Sequence, residues 1–142
     1  MPDFDFRRVE SRDFDYCWTI YRDSLKPLSI GLFSWDDALH QQRVREALAD
    51  EGASILVSDG DAGWLHASET RFTIHLAHFY IAADKRGHGL GSRFLTWMSE
   101  RARRKNKDFT LDVMNNNPAL ALYQKLGFKP VKTTAYVITM RL

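Results

Sequence analysis

The sequence has little of several features that mark special classes of protein. It contains one cysteine and four prolines in 142 residues. Because Cys17 has no partner in the chain, it cannot form an internal disulfide, and a disulfide framework is excluded. No apolar run approaches the ~20 residues of a membrane-spanning helix, and the charged start of the chain lacks the apolar core of a secretory signal. We therefore expect a cytoplasmic protein without a membrane partner.

Neither sign of charge is in excess. The chain has 20 Lys and Arg residues against 18 Asp and Glu residues, a net charge of +2, which is too small to indicate a nucleic-acid partner. One basic cluster stands at the end of a predicted helix, where cations are favoured; its members are Arg101, Arg103, Arg104, Lys105 and Lys107. We expect no nucleic acid among the partners. The ordinary composition, 44% hydrophobic and 27% charged, predicts a single domain over residues 1–142.

The most informative stretch is Phe79–Gly91, which reads FYIAADKRGHGLG. It begins as an apolar strand and ends in three alternating glycines after Arg86, and a helix is predicted from Ser92. Glycine has no Cβ, so a ligand can approach the main chain closely. The first N–H groups of a helix lack internal partners and lie at the positive end of its dipole. The stretch therefore predicts a binding site for an anionic, phosphorylated ligand.

In the first half of the chain, the hydrophobic pattern predicts one strand, two helices and then three strands. Ser11 is the predicted N-cap of the first helix, and Pro27 is its predicted end because proline has no N–H to continue it. The second helix is predicted to open with a capping box at Ser34–Asp37. The predicted ranges are strand Phe4–Val9, a helix from Ser11, a loop over Lys26–Phe33, a helix to about Asp50, and an antiparallel meander of strands Ala53–Ser58, Gly63–Thr70 and Phe72–Ala82.

The second half is predicted to alternate helices and strands. A helix follows the glycines and runs to about Lys105. Pro118 suits the first turn of a later helix, and Gly127 suits its end. The remaining predicted strands are Phe109–Met114, one that begins at Phe128, and Tyr136–Leu142.

Two other phosphate-binding motifs fit the glycine stretch less well. A Walker loop needs Lys and then Ser or Thr after its last glycine, whereas Gly91 is followed by Ser92 and Arg93. A dinucleotide-binding turn is a closer match, because Asp108 and Asp112 follow about 20 residues later. Its third glycine falls one residue early, however, the preceding strands form a meander, and too little chain follows for further βα units.

Two motifs of the chain resemble those of the GNAT superfamily of acyl-CoA-dependent N-acetyltransferases. The segment Arg86–Gly91, RGHGLG, is similar to the pyrophosphate-binding motif of that superfamily, in which Arg or Gln precedes x-x-G-x-G/A. The segment Asn117–Phe128, NPALALYQKLGF, is similar to its second signature, which ends in L-Y-x-K-L-G-F. Ala83 stands where the first motif usually has proline, which loosens the turn.

The resemblance implies the acyl-CoA N-acyltransferase fold, an α/β (α+β) protein. Its mixed, mostly antiparallel sheet of six to seven strands is splayed between the fourth and fifth strands and flanked by about four helices. It also implies acetyl-CoA as the cosubstrate and no metal. The cofactor-binding residues that it implies are Phe79, Tyr80, Ile81, Arg86, Gly87, His88, Gly89, Leu90, Gly91, Ser92, Asn117 and Tyr123.

The resemblance assigns these residues to different parts of acetyl-CoA and of its reaction. The main chain of Phe79–Ile81 would pair with pantetheine as an added strand, and Asn117 would hold the pantetheine amides. The N–H groups of Gly87–Ser92 would hold the pyrophosphate, and the Ile81 N–H would stabilise the oxyanion. Tyr123 resembles the general acid that protonates the leaving thiolate.

The general base is left open among three residues. His78 is favoured because an imidazole titrates near neutral pH. His75 lies three residues earlier on the same strand, so the two imidazoles point to opposite faces of the sheet unless a bulge intervenes, and one of them should face the thioester. Asp112 occupies the place of a frequent glutamate in these enzymes. The implied catalytic residues are thus Tyr123 with His78 or Asp112, and His75 is a rival.

The expected function is the transfer of an acetyl group from acetyl-CoA to a primary amine by direct attack in a ternary complex. The acceptor is a small-molecule or peptide amine, and a homodimer is compatible with the sequence. The region Trp18–Trp35, which should cover the acceptor, is aromatic and apolar with few charges, and this favours a small or partly apolar amine over a highly charged one. The alternative function is a catalytically weak or inactive CoA-binding or regulatory module of the same fold.

Overall fold

The computed structural model describes residues 3–142. Over these residues the chain forms a seven-stranded sheet with four α-helices. The strand order is β1-β2-β3-β4-β5-β7-β6. In chain order the elements are β1 Asp5–Arg7, α1 Phe14–Ser29, α2 Asp37–Ala49, β2 Ala53–Val57, β3 Asp61–Glu69, β4 Thr73–Ile81, α3 Leu90–Arg104, β5 Asp108–Met114, α4 Ala119–Lys125, β6 Lys129–Thr133 and β7 Val137–Arg141.

The fourth and fifth strands form a parallel pair. Their ladder runs from Thr73 opposite Asp108 to Leu76 opposite Leu111, which are the first four residues of each strand. Beyond it, β5 continues to pair with β7 as far as Met114. The pairs β1–β2, β2–β3, β5–β7 and β6–β7 are antiparallel. The predicted fold class, a mostly antiparallel sheet splayed between the fourth and fifth strands, is confirmed.

The chain divides into two compact units, of which the first comprises residues 3–66 and 79–88. Its core includes Cys17, Val44, Ile55 and Trp64, which have no exposed surface. The Trp64 indole N–H donates to the carbonyl of Cys17 at 3.1 Å, so this buried donor is satisfied. Burial raises the pKa of the Cys17 thiol to about 12. Cys17 is therefore a protonated core residue.

The second unit comprises residues 67–78 and 89–142. The inner face of α3 repeats apolar residues at the helical period and is buried. Phe109 and Phe128 meet edge to face, with ring centroids 5.4 Å apart. Side chains at most 2% exposed in this core are Leu76, Phe94, Leu95, Ala102, Phe109, Leu111, Phe128 and Met140. Among the helices of residues 3–142, none combines the length and apolar character needed to cross a membrane.

The predicted N-cap of α1, Ser11, is wrong. The chain first makes one 3-10 turn, and α1 begins only after Asp13. A capping box joins Glu10 and Asp13, in which the Asp13 carboxylate accepts from the Glu10 N–H at 2.8 Å. Arg7 fixes this carboxylate by donating to both of its oxygens at 2.9 Å. The residues next to Ser11 do not by themselves reveal the contact between Arg7 and Asp13.

The predicted end of α1 at Pro27 is also wrong, because the helix runs to Ser29. Pro27 lies in the last turn, where its missing N–H removes only the bond to the carbonyl of Asp23. The Ser29 hydroxyl donates to the carbonyl of Lys26 at 2.7 Å and supports this last turn. The first part of the predicted loop is therefore helical.

The capping box predicted at Ser34 is wrong as well. Asp36 caps α2 by accepting from the N–H of Leu39 at 3.1 Å. The indole of Trp35 donates to Asp37 at 2.6 Å. Serine and aspartate are similarly good N-caps, so residue type alone does not distinguish Ser34 from Asp36.

Arg7 is the centre of an ion-pair network that supports one testable prediction. It binds Asp13, which is 4% exposed, and Asp61. Hydrogen bonds from Arg7 hold the pKa of each carboxyl below its ordinary value. Because Arg7→Gln leaves a buried carboxylate without its cation, it should lower the free energy of unfolding by about 3 kcal/mol at neutral pH, measured by urea denaturation.

The pH dependence of the same variant tests the cause. A lowered carboxyl pKa contributes stability that is present above the unfolded pKa of ~3.9 and is lost as the pH falls through the folded pKa. Wild-type protein should therefore lose stability in acid, and Arg7→Gln should lose less. Arg12→Gln is the matched control, since the Arg12–Glu10 pair is exposed and should matter little. If Arg7→Gln and Arg12→Gln lowered the free energy of unfolding by the same amount, this account would be contradicted.

Candidate active site

Two glycines of the turn before α3 have left-handed backbone conformations. The φ angle is 80° at Gly87 and 78° at Gly89, a region that residues with a Cβ avoid. Gly89 is the N-cap of α3, so no side chain at this position bonds to the first N–H groups of the helix. A Cβ at Gly87 would meet nothing within 4 Å. The turn thus presents helix N–H groups at an open surface, which suits an anion.

Arg86 is held by two hydrogen bonds inside the first unit. Its Nε donates to the carbonyl of Ile81 at 2.9 Å, and its Nη2 donates to the hydroxyl of Ser24 on α1 at 3.0 Å. Both acceptors are uncharged, so neither neutralises the positive charge of the guanidinium at the start of the turn. The sequence did not single out Ser24, because only the fold brings a residue 62 positions away into contact with Arg86.

The third strand carries a bulge that receives the end of β4. The register of β3 against β2 skips Ala62. A Cβ on Gly63 would lie 2.1 Å from the carbonyl oxygen of Tyr80, so only glycine fits here. The N–H of Ala82 donates to the carbonyl of Ala62 at 2.8 Å. The main chain around Tyr80 is therefore fixed by β3.

The side chain of Tyr80 lies among aromatic rings of the first unit. Its centroid is 5.1 Å from that of Trp64 and 5.4 Å from that of Tyr21. All three residues of Phe79–Ile81 are half-buried. These ring contacts hold the end of β4 in place. The sequence assigned the main-chain groups of this strand end to cofactor binding.

In the second unit, Tyr123 lies on α4 and packs against Phe128, with ring centroids 6.1 Å apart. Burial raises the pKa of the Tyr123 phenol to about 12, so it is protonated at neutral pH. Asn117 precedes the helix, and its Oδ1 accepts from the N–H of Ala119 at 2.9 Å. Asn117 therefore fixes the start of the helix that carries Tyr123.

Asp112 is bound by two side chains of the second unit. Its Oδ2 lies 2.9 Å from Nε2 of His75, and its Oδ1 accepts from the Thr139 hydroxyl at 2.7 Å. Nδ1 of His75 lies 2.6 Å from Oγ1 of Thr110. Burial would raise the pKa of Asp112, but the hydrogen bonds from His75 and Thr139 outweigh it and lower the pKa. Asp112 is an ionised carboxylate with both oxygens occupied, which makes it a weak proton acceptor.

The predicted site residues are distributed over both units. The first holds Phe79–Ile81 and residues 86–88, and the second holds His78, residues 89–92, Asp112, Asn117 and Tyr123. The second unit brings His75 to Asp112, while Tyr123 takes no part in that network. Leu90 is 4% exposed and belongs to the buried face of α3. Among residues 3–142, no group of three or more His, Cys, Asp or Glu is placed to hold a metal ion.

A family model described as an acetyltransferase (GNAT) domain matches residues 47–130, more than half of the chain. The chain belongs to the GNAT acetyltransferase family. The matched residues include both motifs, so the family predicted from them is confirmed. Acetyl transfer is the activity that membership of this family supports. The roles of individual residues in this GNAT chain stay predictions.

Solved structures share the fold of this GNAT acetyltransferase. The apo form of YjaB from Escherichia coli is 19% identical, with a TM-score of 0.74 over 97% of this chain and 96% of that chain. The PaiA N-acetyltransferase from Thermoplasma acidophilum, in complex with coenzyme A, is 16% identical, with a TM-score of 0.67 over 99% and 98%. The ribosomal-protein-S18-alanine N-acetyltransferase from Escherichia coli is 20% identical, with a TM-score of 0.65 over 98% and 92%. No curated protein sequence matched the chain.

The contact between Gly63 and Tyr80 predicts a large effect of one added methyl group. Gly63→Ala would force the Tyr80 carbonyl away and should lower the free energy of unfolding by roughly 3 kcal/mol or more, measured by urea denaturation. Gly60→Ala is the matched control, because Gly60 has a φ of 91° and open space around it. It should cost only about 1–2 kcal/mol of backbone strain. Equal costs at the two positions would show that Tyr80 does not depend on Gly63.

Proposed function

We propose that the chain transfers an acetyl group from acetyl-CoA to a primary amine by direct attack within a ternary complex, as a single cytoplasmic domain. The observation that carries the proposal is the glycine-led start of α3 directly after β4, in a GNAT chain. The chemistry that acetyl-CoA supplies is an activated thioester. The amine nitrogen forms a bond to the acetyl carbon, and the carbon–sulfur bond breaks with its electron pair going to sulfur. The nitrogen loses one proton and the sulfur gains one, so that the product is the free thiol.

The residues of the chain fit acetyl-CoA. A pyrophosphate needs accessible N–H donors, and the left-handed turn has open space at Gly87 and the Arg93 guanidinium beside Gly89, 3.1 Å from where a Cβ would lie. We assign the main-chain N–H groups of Gly87–Ser92 to the pyrophosphate. The main chain of Phe79–Ile81 pairs with pantetheine. The side-chain amide of Asn117, whose oxygen is already used by α4, donates from its nitrogen to the pantetheine.

The amine must lose a proton before it attacks, since an aliphatic ammonium has a pKa of about 10.4. Asp112 is a poor base because His75 and Thr139 occupy its oxygens. His75 is engaged at both ring nitrogens by Asp112 and Thr110. We assign the base to His78, which is half-buried on β4, because an imidazole titrates near neutral pH. His75 and Asp112 act as a support across strands β4, β5 and β7.

Tyr123 is assigned to the leaving sulfur. Its pKa of about 12 exceeds that of a thiol, about 8.5, so complete proton transfer to the thiolate is uphill. A hydrogen bond from the phenol to the sulfur nevertheless stabilises the charge that develops as the carbon–sulfur bond breaks. This refines the general acid implied by the motif into a hydrogen-bond donor that stays protonated.

Tyr123→Phe removes this donor and keeps the ring. It should lower kcat by about 100-fold and leave the affinity for acetyl-CoA nearly unchanged, measured by thiol release and calorimetry. Because the phenol is protonated below its pKa of about 12, Tyr123 should cause no alkaline decline of wild-type kcat near pH ~8–9. Tyr136→Phe, at an exposed tyrosine, is the control. Equal kcat in the two variants would refute the role.

Arg86→Gln removes the charge at the start of the turn and weakens the brace to Ile81 and Ser24. The affinity for acetyl-CoA in calorimetry should fall by about tenfold, more at low salt than at high salt because screening weakens charge interactions. Lys85→Gln is the matched control, since the Lys85 ammonium donates to the carbonyl of Asp59. If Arg86→Gln binds acetyl-CoA as tightly as wild type does, the assignment of the pyrophosphate to this turn is wrong.

A second candidate function is a CoA-binding or regulatory module without turnover. The bonding of His75 and Asp112 to each other favours it, because this contact occupies both residues and makes them less suited to proton transfer. Thiol release from acetyl-CoA with a panel of amines separates the candidates. Release with any amine supports the transferase, whereas tight CoA binding without release supports the module.

A further inference from the structure

A pocket of about 660 Å³ lies in the first unit, between the C-terminal half of α1 and the segment that leads into α2. A cavity of this size suits a small molecule. One wall is apolar and the other is charged. The lining side chains include Arg22, Asp23, Lys26, Ile30, Phe33 and Trp35.

The apolar wall is rigid and partly uncovered. Trp35 lies flat on His40, with ring centroids 3.8 Å apart and 1° between the ring planes. His40 is buried, and its Nδ1 lies 2.7 Å from the phenol oxygen of Tyr21. Ile30 is 81% exposed. An exposed isoleucine beside a fixed aromatic ring is apolar surface that a ligand can cover.

The charged wall has an excess of positive charge. Arg22 and Lys26 are four residues apart and lie on one face of α1. Arg22 pairs with Asp23 at 3.3 Å, and both side chains are well exposed, so this pair is weak. Lys26 has no ion-pair partner within residues 3–142. The pocket therefore offers cations to an anionic group, and it offers the Asp23 carboxylate to an ammonium.

Side chains of α1 link this pocket to the residues assigned to acetyl-CoA in the same unit. The ring centroid of Tyr21 lies 6.2 Å from that of Trp35 and 5.4 Å from that of Tyr80. One turn further along the helix, Ser24 accepts a hydrogen bond from Arg86. Tyr21, which is 3% exposed, thus packs against both Trp35 at the pocket and Tyr80 on β4. The helix that forms the charged wall of the pocket is also the helix that Arg86 contacts.

We propose that this pocket binds the acceptor, and that the acceptor is a small amine with both a carboxylate and an apolar side chain, as in an apolar α-amino acid. Lys26 and Arg22 bind the carboxylate, and Ile30 and Trp35 cover the side chain. The inference rests on the proposed acetyl transfer. It adds an anionic group to the partly apolar amine that the sequence favoured.

L-Phenylalanine and L-phenylalaninamide test the assignment, because they share a ring and an amine and differ in the carboxylate. The amide has the less basic amine, so more of it is neutral and chemistry alone favours it. We nevertheless expect kcat/KM, measured by thiol release from acetyl-CoA, to be about tenfold or more higher for phenylalanine. Lys26→Gln should bring the ratio near one. Lys132→Gln, the same change at an exposed position of β6, should leave it unchanged.

A binding measurement separates failure of the pocket from failure of acetyl transfer. The indole N–H signal of Trp35, assigned by NMR with Trp35→Phe, should shift when L-phenylalanine is added, and Lys26→Gln should weaken this binding. Binding of this kind without thiol release for any amine would support the pocket and refute acetyl transfer. Thiol release that is as fast with phenylalaninamide and unaffected by Lys26→Gln would overturn the pocket assignment and leave acetyl transfer intact.

Discussion

A tight main-chain contact in the first unit joins β3 to the end of β4. Gly63 lies so near the carbonyl of Tyr80 that a Cβ would be 2.1 Å from its oxygen, and the Ala82 N–H binds the carbonyl of Ala62 beside it. The strand end is thereby held against a bulge. Arg86 returns to the carbonyl of Ile81 at the same place. The main-chain groups of Phe79–Ile81, which are assigned to pantetheine, thus depend on one position that only glycine can occupy.

Each unit secures its assigned residues by a different kind of contact. In the first unit, aromatic rings from α1 and β3 pack against Tyr80 and bury apolar surface around the end of β4. The main-chain polar groups of this strand end are the ones assigned to acetyl-CoA. In the second unit, a chain of hydrogen bonds runs from Thr110 through His75 and Asp112 to Thr139. Such a network is favourable only when every member is satisfied, which explains why Asp112 is better suited to support than to proton transfer.

Local patterns predicted the glycine turn, α3 and α4, because their signals lie within a few residues of each other. The ends of α1 were not predictable in this way, since the Asp13 cap depends on Arg7 and the last turn tolerates Pro27. Contacts between side chains of neighbouring strands could not be predicted from the local sequence either. Thr139 meets Asp112 because β7 lies beside β5, although β7 comes last in the chain. The motifs therefore indicated the family and the candidate residues, and the fold supplied the partners that decide what each residue can do.

The placement of coenzyme A on the glycine turn is the central claim, and backbone amide signals in NMR spectra test it most directly. On titration with coenzyme A, the N–H signals of Gly87–Ser92 should show the largest shifts, because these groups become donors to the pyrophosphate. Pantetheine alone should shift the signals of Phe79–Ile81 and leave the glycine signals in place. Largest shifts outside both segments, or glycine signals that coenzyme A leaves unmoved, would contradict the account.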